Sequence, residues 1–74
     1  MEIGMLWLDA DKSRSFEEKV KRAVDYYKDK YGRFPELCVV NANMVNDEKK
    51  VGRVQVVPQK TIQPNHFWLG MKSA

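Results

Sequence analysis

Residues 15–40 constrain this chain more than any other stretch, because an apolar stripe, a start signal, a stop signal and a following strand agree there. Phe16, Val20, Ala23, Val24, Tyr27 and Tyr31 recur at helical spacing, with charged residues at most positions between them, the pattern of a helix that buries one face. Ser15 followed three residues later by Glu18 has the form of a capping box. Gly32 supplies the positive φ that ends a helix, and Pro35 prevents its resumption. Leu37, Cys38, Val39 and Val40 then read as a short buried strand.

A second apolar run, residues 4–9, precedes the helix, with Leu6 and Leu8 on one face and Met5 and Trp7 on the other. A strand, a long helix and another strand apolar on both sides make a βαβ unit with parallel strands and a right-handed crossover. Residues 41–47 are rich in Asn and read as a loop or a single helical turn, and residues 47–50 turn the chain. Residues 51–57 alternate, with Val54 and Val56 on one face and Arg53 and Gln55 on the other, and Pro58 closes that strand. In the last strand, residues 65–71, Phe67, Leu69 and Met71 oppose His66, Trp68 and Gly70. The six residues 59–64 suit a hairpin return, which predicts antiparallel pairing of these two strands. The expectation is an α+β two-layer fold, a single β-α-β-β-β domain spanning residues 1–74, with one amphipathic helix on a mixed four-stranded sheet.

One helix covers one side of such a sheet, so the other must meet solvent, a ligand or another protein. At 74 residues a domain buries only roughly 60% of its extended-chain surface, and an uncovered apolar face is then a place for self-association. By the alternation above, that face presents Trp7, Arg53, Gln55, His66 and Trp68. Loops 41–50 and 59–64 are the chain's own means of covering the two indoles.

The net charge of +3 hides an uneven distribution. Residues 1–48 hold eight Lys or Arg against all ten Asp and Glu, whereas residues 49–74 hold five Lys or Arg and no acid. Lys49, Lys50, Arg53 and Lys60, with the indole of Trp68 nearby, supply cations for phosphates and a ring for base stacking. Nucleic-acid binding by a basic aromatic C-terminal hairpin is therefore the alternative to a protein-interaction module. An ordinary solvated hairpin carries similar charge, and no helix-turn-helix pattern, zinc-finger spacing or RNA-recognition consensus accompanies it.

Enzyme chemistry has little to stand on. The run Asp9-Ala10-Asp11-Lys12-Ser13 at a strand end resembles the nucleophile strand of haloacid-dehalogenase-type phosphotransferases over five residues. Those enzymes need further strands bearing a Lys and more acids, which this length does not supply. As a calcium loop the same run fails at position six, Arg14 in place of Gly, and at position twelve, Val20 in place of Glu. In a parallel βαβ unit Asp9, Asp11, Asn41 and Asn43 all lie near one carboxyl edge, the usual ligand side of open α/β sheets, yet these residue types also cap turns. His66 is the only histidine, and Cys38 the only cysteine, so paired-histidine catalysis and an intramolecular disulfide are both excluded. The four glycines are too scattered for a phosphate-binding loop. No catalytic residue, cofactor or metal is expected. Residues 3–8 are too short for a membrane span or a signal-peptide core, so the expected setting is the cytoplasm, and the expected partner a second copy or another protein.

Overall fold

The computed structural model describes residues 4–72. Its elements in chain order are β1 (Met5–Leu8), α1 (Phe16–Tyr31), β2 (Leu37–Asn41), β3 (Lys49–Val51), β4 (Val54–Gln59) and β5 (His66–Gly70). One helix packs on one mixed five-stranded sheet of order β1-β5-β2-β4-β3, one strand more than the sequence pattern predicts.

The helix ends where its chemistry requires. The Glu18 amide donates to Ser15 Oγ at 3.2 Å and the Ser15 amide donates back to Glu18 Oε1 at 3.3 Å, so the box satisfies two donors that the first turn leaves open. Glu17 and Glu18 occupy the positive end of the helix dipole, and Lys28 and Lys30 the negative end. Gly32 stops the helix at φ 76°, its amide donating to the Lys28 carbonyl at 2.7 Å. The buried stripe of Val20, Ala23, Val24 and Tyr27 meets Cys38, Val40, Val51, Val54, Val56, Phe67 and Leu69 from the sheet.

The extra strand arises from Gly52. Residues 51–57 are not one strand: Val51 pairs with Val54 across a two-residue loop, Gly52-Arg53, and Gly52 at φ 61° supplies the positive φ that a tight hairpin turn needs at its first central position. Lys49 and Lys50, expected in a turn, lie in β3. β4 also runs through Pro58 to Gln59 instead of closing at the proline. The closing pair directs Val54, Val56 and Pro58 towards β3, whose pairing stops at Lys49 opposite Val56. The missing proline amide therefore faces an unpaired edge.

β4 and β5 do not form a hairpin. Both pair with β2, β4 parallel on one side and β5 antiparallel on the other, and β5 is also antiparallel to β1. β1 and β2 thus run parallel, as the strand-helix-strand pattern predicts, with β5 inserted between them. The connection from β4 to β5 passes the end of β2, where Asn41 Nδ2 donates to the Ile62 carbonyl at 2.6 Å. A six-residue link is long enough to step over one strand as well as to turn back on itself, and this hydrogen bond fastens it across the end of β2.

Candidate interaction surface

Registers define two sheet faces. On the helix side lie Met5 and Trp7, Phe67 and Leu69, Cys38 and Val40, Val54 and Val56. β1 is therefore in the opposite phase to the one its sequence suggests. Trp7 stacks against Tyr26 of α1 with centroids 4.3 Å apart, while Leu6 and Leu8 face away from the helix and are 61% and 60% exposed. Trp7 is not a residue of the open face.

Across that open face one apolar row spans four strands: Leu6 is opposite Trp68, Trp68 opposite Val39, and Val39 opposite Val57. Leu8 stands beside His66 at one end of the row, and Leu37 lies between Gly70 and Gln55 on the other side. The Trp68 ring lies across Gly4 and Gly70, which have no side chains to displace it. A Cβ at Gly4 or at Gly70 would run into the indole ring, so these two glycines form a cradle for Trp68, which is half-buried. Leu6, Ile62, Gln63 and His66 border a shallow hollow next to the row, where the 59–64 connection shelters only its end. Among the strand residues of this face, Lys50 alone is charged.

Of the residues expected here, the structure brings together Trp68, His66 and Gln55. His66 Nδ1 lies 2.9 Å from the Pro64 carbonyl, and Gln55 Nε2 donates to Glu48 at 2.6 Å. Arg53 is not on this face: it sits in the β3–β4 turn with its guanidinium 4.4 Å from the Phe34 ring centroid. The missed members are Leu6, Leu8, Leu37, Val39 and Val57.

The cations of the C-terminal third are dispersed. Lys49 points to the helix side, where its Nζ lies 2.7 Å from Glu17 Oε2 and 5.2 Å from the Phe16 centroid. This pairing holds the Glu17 carboxyl below its ordinary pKa, chiefly through the hydrogen bond from Lys49. Lys50 alternates to the opposite face, Arg53 packs on Phe34, and Lys60 lies in the connection beyond β4. No hairpin between β4 and β5 gathers them.

The carboxyl edge places Asp9 and Asp11 after β1 and Asn41 and Asn43 at the end of β2, with β5 between. Half of their polar side-chain atoms bond the backbone, and Asp9 Oδ2 is buried without a hydrogen-bond partner among the described residues. Asp9 Oδ1 accepts the Asp11 amide at 3.1 Å, and Asn41 Oδ1 accepts the Asn43 amide at 2.8 Å. Asp11 accepts the Ser13 hydroxyl and amide and binds Arg14 at 2.7 Å, bonds that lower its pKa, those from Ser13 most. Asp9 is 7% exposed, with Arg14 at 3.7 Å. Among the described residues no three His, Cys, Asp or Glu side chains gather to hold a metal ion, and no helix is long and apolar enough to cross a membrane. Cys38 is fully buried, which pushes its thiol pKa up to about 12 and removes the thiolate on which cysteine reactivity depends.

No protein-family model matches the chain, and no curated protein or solved structure does.

Proposed function

We propose that this chain is a small non-enzymatic interaction module that self-associates through the open sheet face, with Trp68 as its central anchor. The observation that carries this reading is the apolar row Leu6-Trp68-Val39-Val57, which runs across four strands on the side that α1 leaves bare. Contiguous apolar surface of this kind marks interaction sites more often than scattered exposed residues do, and a rigid aromatic at the centre of a patch is the usual anchor of such contacts.

Two features favour a second copy as the occupant. The face is nearly neutral while the whole chain carries 13 cations and 10 anions, so two copies meet there with little like-charge repulsion. Size points the same way. The molecule's two larger extents, 28 and 23 Å, bound a face on the order of 600 Å² in projection, against about 800 Å² per partner in a standard interface. A stable contact must therefore use the whole face and its rim, which a copy presenting the same face can cover.

Sedimentation velocity across a concentration series tests this reading with Trp68→Ala and Val57→Lys beside the unaltered chain. The expected result is a species larger than the monomer that both substitutions shift to smaller size. Identical sedimentation of all three overturns it. A low-salt titration with a mixed-sequence single-stranded oligonucleotide is the companion test: salt-sensitive binding lost in Trp68→Ala would assign the face to nucleic acid instead.

A further inference from the structure

We propose that two copies also join edge to edge, β1 pairing antiparallel with β1 of the second copy in a register centred on Trp7. This rests on the self-association proposed above and adds a second contact, in the plane of the sheet and not on its face.

The two sheet edges are built differently. β3 is three residues long and carries Lys49 and Lys50, a common way to discourage further strand addition. β1 is Met-Leu-Trp-Leu, with no charge, proline or bulge to block a partner.

Its hydrogen-bond phase makes this edge available. The Asp9 amide donates to the Asn65 carbonyl at 3.0 Å. Counting back in twos through the β1–β5 register, Trp7 and Met5 turn their backbone groups towards β5. Leu6 and Leu8 therefore direct both amide and carbonyl outwards. Among the described residues nothing pairs with these outward groups, and they belong to the same two residues whose side chains are 61% and 60% exposed.

That arrangement is self-complementary. A two-fold axis at Trp7 sets Leu6 opposite Leu8 of the second copy and Leu8 opposite its Leu6, so each pair exchanges two backbone hydrogen bonds and no like charges meet. Trp7 then faces its own counterpart as the closely spaced, non-bonded pair, on the helix side where Tyr26 is 53% exposed. Trp7 Nε1 is buried with no acceptor among the described residues. The product is a ten-stranded sheet with both helices on one side, and its open face continues across the junction from Trp68 to Trp68.

Residue-resolved amide hydrogen exchange tests this, because it reads the outward amides individually. In the unaltered chain the Leu6 and Leu8 amides are expected to slow by roughly tenfold or more between dilute and concentrated solution. Leu6→Pro removes an outward donor at no cost to the β1–β5 ladder and should abolish the slowing at Leu8, while Leu6→Thr, which keeps the amide, should retain it. Val57→Lys should retain it too, since it alters the face alone. Fast exchange of both amides in a solution that sediments as an oligomer overturns edge pairing and leaves the face contact standing. Protected amides with sedimentation indifferent to Val57→Lys would overturn the face contact and leave the edge.

Discussion

Trp7 of β1 stacks on Tyr26 of α1 with ring centroids 4.3 Å apart and planes inclined by 34°. With Met5 packed on the same side, this contact puts Trp7 on the helix side of the sheet and leaves Leu6 and Leu8 on the other. Tyr26→Ala should therefore destabilise the domain by about 1–2 kcal/mol, although the tyrosine is half exposed. Arg22→Ala, one turn earlier, should change stability by only a few tenths. Urea melts of dilute protein compare the two.

The helix stripe gives a second test. Val24 is buried against the sheet, and Val24→Ala should cost about 1–3 kcal/mol through lost burial and a residual cavity. Lys28 is exposed, with its ammonium 5.1 Å from the Phe34 ring centroid, so Lys28→Ala should cost at most about 1 kcal/mol. Denaturation curves showing equal losses would contradict the helix orientation.

The glycine cradle predicts a conditional effect. Gly70→Ala places a methyl group where the Trp68 ring lies and should cost about 1 kcal/mol or more in the native chain. In a Trp68→Ala background the ring is gone, and the same substitution should be nearly neutral. A double-mutant cycle with no coupling between the two positions would mean that the indole does not rest on Gly70.

Cys38 predicts alkaline sensitivity. Its folded pKa of about 12 stands above the ordinary value of 9.0, so the folded state holds the thiol proton that the unfolded chain releases first. Its contribution is fully present below pH 9.0 and is lost as pH rises towards the folded value, at up to about 1.4 kcal/mol per pH unit. Melts across this range should show a shallower decline for Cys38→Val than for the unaltered chain. Below it, a thiol reagent should label Cys38 only after unfolding.

The helix and its caps were legible because Ser15, Glu18 and Gly32 act through their immediate neighbours. β2 was legible too, as its apolar run is short and bounded. The phase of β1 was not, since Met5, Leu6, Trp7 and Leu8 are all apolar and alternation carries no information when both classes of position look alike. Tyr26 breaks that tie from a different element. The hairpin at Gly52-Arg53 is hidden in the sequence because the alternation of Val54 and Val56 with Arg53 and Gln55 runs back into the turn, so that Arg53 reads as a strand position. β5 lies between β1 and β2 by pairing with both, and the Asn41 bond to the Ile62 carbonyl joins positions 21 residues apart in the chain, long-range contacts that no local pattern encodes. The alternation of the last strand puts Trp68 on the side away from Phe67 and Leu69, and the registers place it there, but its apolar neighbours Leu6, Val39 and Val57 join it only through registers set by four strands.

Self-association through the open face is tested most directly by isotope-filtered NOE spectroscopy on a mixture of labelled and unlabelled chains, which reports only contacts between copies. Intermolecular NOEs are expected to link the Val39 and Val57 methyl groups and the Trp68 ring of one copy to the same face of another, growing with concentration and lost in Val57→Lys. Their absence in a solution that sediments as an oligomer, or intermolecular NOEs confined to the exposed side of α1, would contradict it.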